Sequence, residues 1–281
     1  MYKIPFLYIL MCLMSANVFC QIIEPQLFSV SETKQVVFSK GNLVYNQNTK
    51  KYSFYKYQYS GKWLPTRLHK CGTYFSSPSG DLTMLFSWDE CQKWRENADK
   101  WCILSKEEWE YLIEKRENAK ELCFLVSFNT SIIDEHEGVL LFPDNFKLPK
   151  DVSLDKFEVT RVGYKKFNLT TETVRLLETY GAVFIPQCGM DTRGCYWTSS
   201  IDDDSYGKYA YCLYFDFLNN ALGLVSFGKD IDRSNKPFYG VRLVKPACIK
   251  KKTINPIKTH RIRHIIKQKS KVKVYYCSFP G

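Results

Sequence analysis

The sequence predicts an α+β domain, on three observations. Short apolar runs bounded by Gly, Pro, Asn and Asp recur along the chain, at 36–38, 43–45, 138–142, 196–200, 209–215, 222–227 and 239–244, as strands do. Two stretches instead carry helix signals: Ser105-Lys-Glu-Glu before Trp109, Leu112 and Ile113, and Thr170-Thr171 before Val174, Leu177 and Tyr180. Finally, 281 residues with 45% hydrophobic and 16% aromatic side chains can build a sizeable core.

Each element has a local reason. Residues 4–14 are apolar after Lys3, which fits a secretory h-region and is short for a membrane span. Residues 1–20 therefore read as a cleaved signal peptide, with a lipid anchor on Cys20 as the alternative; Phe19 opposes it, since such anchors want a small residue there. Lys40-Gly41-Asn42 between the first two strands suits a tight turn, because Gly and Asn tolerate positive φ. Aromatics at 52, 54, 55, 57 and 59, interleaved with Lys51 and Lys56, read as strand packing, with a base-stacking platform as the other reading. Residues 71–80 are loop-like, and Asp89 is placed to cap a short helix through about residue 98. Ser105 and Glu108 form a capping box, in which hydroxyl and carboxylate satisfy the first turn's free amides reciprocally. That helix is expected to end near Asn118. Residues 151–167 read as a loop-rich insert. The second helix is expected to end at Gly181, which tolerates the left-handed conformation of a C-cap.

Charge is unevenly placed. The formal net charge is +11, and the eleven Lys and Arg from Lys245 onward account for all of it. The body is therefore neutral, and no specific nucleic-acid binding is expected of it. The basic tail, 246–281, reads as a disordered extension; contact with anionic surfaces and a terminal strand at Val272, Val274 and Tyr276 are its other readings. Nine cysteines remain beyond Cys12 and Cys20, an odd number that cannot pair fully. Cys188 and Cys195 flank a loop with Gly189 and Gly194 at its ends. They are the disulfide candidates, with free thiols or a copper(I) thiolate pair as alternatives. Four histidines, at 69, 136, 260 and 264, fall in no triad or metal motif.

Several motifs together resemble a known family. They are Phe28-Ser-Val-Ser with Phe38-Ser-Lys-Gly-Asn-Leu-Val-Tyr, Leu104-Ser-Lys-Glu-Glu-Trp-Glu-Tyr-Leu, Gly138-Val-Leu-Leu-Phe-Pro-Asp-Asn, Gly181-Ala-Val-Phe-Ile-Pro, Tyr196-Trp-Thr-Ser-Ser, Tyr211-Cys-Leu-Tyr-Phe and Val241-Arg-Leu-Val. In order and spacing this set is similar to the bacterial major paralogous domain family of the Fibrobacter and Bacteroidetes type, whose fold resembles C-type lectins and sulfatase-modifying factors. Gln187-Cys188-Gly189-Met190 and the tail depart from the pattern. The resemblance implies a C-type-lectin-like fold over residues 21–245: a twisted antiparallel sheet with two flanking helices and long loops.

The expected function is a secreted, periplasmic or cell-surface binding module, more a binder than an enzyme, with a glycan or surface protein as partner. The loop candidates for its ligand are Asp191, Arg193, Asp202, Asp203, Asp204, Tyr206, Asp230, Asp232 and Arg233. Acidic clusters there offer weak support for calcium, which wants six to eight oxygens, so no metal or other cofactor is assigned. A formylglycine-generating-like oxidase variant and a structural subunit of a surface assembly are the alternatives. Trp197 is expected in the core, and Arg242 half-buried against loop carboxylates.

Overall fold

The computed structural model describes residues 26–56, 58, 82–94, 100–129, 135–188, 193–203, 208–228 and 239–247. Fifteen strands and three α-helices follow in chain order. They are β1 (Phe28–Ser29), β2 (Gln35–Phe38), β3 (Leu43–Asn46), β4 (Lys51–Phe54), β5 (Leu82–Thr83), α1 (Trp88–Cys91), β6 (Cys102–Ile103), α2 (Lys106–Glu110), β7 (Cys123–Asn129), β8 (Glu135–Leu141), β9 (Glu158–Val159), β10 (Lys165–Thr170), α3 (Thr171–Thr179), β11 (Val183–Pro186), β12 (Arg193–Asp202), β13 (Tyr209–Asp216), β14 (Ala221–Gly228) and β15 (Leu243–Pro246). The class is α+β, with strand outweighing helix. The expected sheet is distributed over four: β1-β2-β15-β6, β11-β8-β7-β10-β9, β12-β13-β14 and β4-β3-β5. One pairing, β7 with β10, is parallel.

Burial explains the layering. The five-stranded sheet is covered on both faces. Leu125, Val139, Leu141 and Ile185 face a central core shared with Trp109, Leu112 and Phe38. Phe124, Val126, Leu140 and Phe184 face an outer core closed by Val174 and Leu177 of α3. A strand buried on both faces reads as a continuous apolar run rather than an alternation, as 123–128 does. The β12-β13-β14 sheet repeats the device. Tyr196, Leu213 and Phe215 point into the central core, while Trp197 and Cys212 point into a third cluster with Phe86 and Leu243. Trp197 is 1% exposed, and its Nε1 donates to the Phe86 carbonyl at 2.7 Å.

Local chemistry sets the element ends. Ser105 caps α2, with Glu108 closing the box. A π turn, Tyr111–Lys115, continues that helix, and the Ile113 carbonyl in it accepts from the Tyr164 hydroxyl at 3.2 Å. The expected helix thus runs out at Arg116, two residues early. Thr170 caps α3, and Gly181 follows it at φ +92°. Five expectations are corrected. Ser87, not Asp89, caps α1, because Glu90 completes a box with it. Lys40-Gly41-Asn42 is no hairpin turn, since β2 and β3 belong to different sheets; Gly41 is needed because a Cβ there would meet the Tyr55 carbonyl oxygen at 2.4 Å. Tyr180 is 48% exposed, lying past the last turn of α3. The 151–167 insert includes β9 and leads into β10, and Tyr164 within it is buried. The expected tail begins two residues too early: Pro246 ends β15, opposite Val36, and the Ala247 amide donates to the Gln35 carbonyl, while the leader, residues 71–80 and 248–281 lie outside the described residues.

Candidate functional site

Of the nine loop candidates, Arg193, Asp202 and Asp203 are described; Asp191, Asp204, Tyr206, Asp230, Asp232 and Arg233 lie outside the described residues. The strands decide which candidates can cooperate. Arg193 and Asp202 are the two ends of β12, separated by roughly 30 Å at about 3.3 Å per residue. Arg193 pairs with Asp216, at the hairpin end, and Asp202 pairs with Tyr209. Tyr209 in turn pairs with Gly228. Asp202, Tyr209 and Gly228 therefore share one end of the sheet. Arg193 and Asp202, at opposite ends of β12, do not share one site.

That shared end carries a shelf of mixed chemistry. Tyr209 and Tyr211 are two apart on β13 and so lie on one face. Asp202 is opposite Tyr209, and Ser226 opposite Tyr211, and opposite residues share a face. Tyr209 is 43% exposed. The Lys106 ammonium sits 4.0 Å from the Tyr211 ring centre, a cation–π contact. The first turn of α2 is moored here: the Lys106 amide donates to Ser200 Oγ at 3.0 Å, and the Ser105 hydroxyl donates to Glu107 Oε2 at 2.8 Å. The backbone amide of Glu107 holds its carboxyl below the usual range, and the Ser105 and Ser200 hydroxyls add to this. The shelf thus presents rings, an ionised carboxylate and an ammonium side by side. Sequence reading reached Asp202 but passed over Tyr209, Tyr211 and Lys106; the alternation Tyr209-Ala-Tyr211 was the available signal.

A second concavity, of about 650 Å³, opens where β7 and β10 end and α3 begins, with Asn129, Glu135, Asn168, Thr171, Glu172 and Arg175 among its walls. The parallel register sets Asn168 beside Ser127 and Thr170 beside Asn129. Its groups are largely engaged with one another: Ser127 with Asn168, and Thr171 Oγ1 with the Asn129 carbonyl.

The central loop's chemistry is buried. Cys188 and Cys195 are free thiols, not a bridge. Cys188 lies against Tyr196, Sγ to hydroxyl 2.8 Å. Cys195 precedes Tyr196 on β12 and turns to the opposite face. Burial pushes both thiols up to about 12, so neither is a thiolate at neutral pH, the form that attacks or binds copper(I). Beside them Arg242 is 2% exposed, not half-buried, and among the described residues its terminal nitrogens meet side-chain amides. Its Nη2 donates to Gln58 Oε1 at 2.8 Å and its Nη1 to Asn42 Oδ1 at 3.3 Å. Among the described residues no group of three or more His, Cys, Asp or Glu gathers for a metal. In comparison with known proteins, the chain matches no family model, no curated protein and no solved structure.

Proposed function

We propose that this chain is a secreted or cell-surface binding module of C-type-lectin-like type that holds a glycan, or the glycan of a surface protein, on the Tyr209–Tyr211 shelf. The observation that carries this reading is the juxtaposition of two same-face tyrosines with Asp202, Ser226, Lys106 and Glu107. Sugars offer apolar C–H faces to aromatic rings and hydroxyls to carboxylates, and a ligand site commonly combines apolar surface with a few placed polar groups. The raised thiols of Cys188 and Cys195 weigh against a formylglycine-generating-like oxidase. Binding at the shelf uses protein groups alone, so chelating calcium should leave it unchanged.

The test is an array of neutral and acidic oligosaccharides probed with the full chain, with calcium and with chelator. Glycan signals that fall about tenfold in Tyr209→Ala and in Asp202→Asn support the reading, a loss typical of a principal contact. An array without signals, or signals indifferent to both substitutions, sinks it. Signals that vanish with chelator would instead place calcium in the site.

A further inference from the structure

Sheet edges are templates for further strands, and proteins blunt them with charge, proline, brevity or cover. Nearly every edge here is blunted. β1, β5, β6 and β9 are two residues long. β4 carries Lys51. β11 ends in Pro186, and the Gln58 side chain satisfies its edge, donating to the Ala182 carbonyl and accepting from the Phe184 amide. β12 is covered: the Trp197 amide donates to the Gly240 carbonyl, the Gly240 amide to the Cys195 carbonyl, and the Ser199 amide to the Leu104 carbonyl.

β14 differs in length and in sequence and, among the described residues, in cover. It is eight residues long, Ala-Leu-Gly-Leu-Val-Ser-Phe-Gly, with no charge and no proline. It pairs in unbroken register with β13 and, among the described residues, with no other strand. A Cβ at Gly223 would meet nothing within 4 Å, and Val225 is 38% exposed. In an antiparallel ladder every second residue turns its N–H and C=O away from the partner strand, so β14 offers about four of each outward.

We infer that β14 is a self-association edge: two copies of this chain pair through it, antiparallel about a twofold axis, joining two three-stranded sheets into one. Three features select a second copy over an unlike peptide. Antiparallel self-pairing sets residues near the axis against themselves or their neighbours, which an uncharged strand tolerates and a charged one does not. β13 behind it is also without charge except Asp216, and that carboxylate is engaged by the 218–219 amides of its own hairpin; the Lys106 ammonium lies over the face of the sheet, on the Tyr211 ring, and not along the β14 edge. Two copies would also exchange about eight main-chain hydrogen bonds, close to the count of a typical stable interface. The contact is isologous, and the covered outer side of β12 keeps the sheet from extending further, so association closes at two.

The inference is independent of the glycan reading and is tested by sedimentation velocity of the full chain from low micromolar to about 100 µM, a range over which a reversible dimer shows itself. A dimer that grows with concentration is expected. Val225→Lys, which sets two ammonium groups near the axis, should weaken it at least about tenfold, while Val225→Thr should leave it intact. Should the lysine variant not fold, hydrogen exchange of the unaltered chain decides. β14 amides that exchange more slowly at high concentration support pairing. A monomer throughout, a dimer indifferent to Val225→Lys, or β14 exchange independent of concentration overturns it.

Discussion

Among the described residues two arginines are buried, and their surroundings differ in kind. Arg116, 4% exposed, closes the π turn after α2. Its Nη1 donates to Asp144 Oδ1 at 3.0 Å and to the Phe142 carbonyl at 2.9 Å, and its Nη2 to the Leu122 carbonyl at 3.1 Å. Asp144 also accepts from the Ser29 amide and the Gln35 side chain, so one ion pair ties α2, β8, β1 and β2 together. Arg242, 2% exposed, has neutral acceptors on its terminal nitrogens. Burial pushes its guanidinium down to about 10, still charged at neutral pH. The carboxyl it senses is Glu178, at the end of α3, which burial raises to about 7 despite the pull of Arg242. One buried cation is therefore paired and the other solvated by amides. A paired buried charge fails badly when one partner is removed, while an amide-solvated one is more readily exchanged for an apolar side chain.

The comparison makes ordered predictions. The largest effect is expected from Arg116→Ala, which strips Asp144 and two buried carbonyls of their donor. It should cost about 3–5 kcal/mol in denaturant unfolding, and a loss under 1 kcal/mol would break the contrast. Arg242→Met keeps the side chain's length and removes the charge, leaving the Asn42 and Gln58 acceptors short of one bond each. A cost of about 1–2 kcal/mol is expected. A larger loss here than in Arg116→Ala would reverse the ranking.

The smallest effect sharpens the contrast through pH. The Glu178 carboxyl binds its proton more tightly in the folded chain than in the unfolded one, so its contribution is present below about pH 4.5 and is lost as pH rises through about 7. A displacement of that size corresponds to about 3 kcal/mol, which partial exposure reduces to about 1–2 kcal/mol. Between pH 5 and pH 8, on the order of the window these values set, the unaltered chain should lose that much stability relative to Glu178→Gln. Parallel stability curves for the two would show that Glu178 is solvated and plays no part in compensating Arg242.

Local signals were legible in the sequence, and long-range ones were not. The Ser105–Glu108 box, a cap at Thr170 or Thr171 and the Gly181 stop depend on neighbours within a turn, and the structure has each of them, with Thr170 as the cap. Trp197 was expected in the core because the fold that the resemblance implies makes its strand central, and it is buried. The burial of Arg242 was not legible: Val-Arg-Leu-Val reads as an alternating strand with its polar side chain out, and the acceptors that draw it in come from 200 and 184 residues away. The separation of Arg193 from Asp202 was hidden for a related reason. Arg193 and Asp202 look like parts of two nearby loops, since the strand legible at 196–200 extends to 193 and to 202 through Gly194 and polar residues that carry no apolar run. The ladder partners that keep 193–202 extended are not local.

The place of β15 bears on how the chain is made. It lies between β2 and β6, pairing Val244 with both Phe38 and Cys102. During synthesis, β2 and β6 must therefore wait for the last strand before their sheet can form. β1 is already made and pairs one side of β2, but ribosomes add about 5–20 residues per second, so the edge of β2 that faces β15 stands unpaired for roughly 10–40 s while the intervening chain emerges. Such distant pairing is slow even in the finished chain, because loop closure precedes the contacts that reward it. A nascent chain stalled before Leu243 presents two unfinished apolar edges, which is the form that chaperones hold and proteases remove.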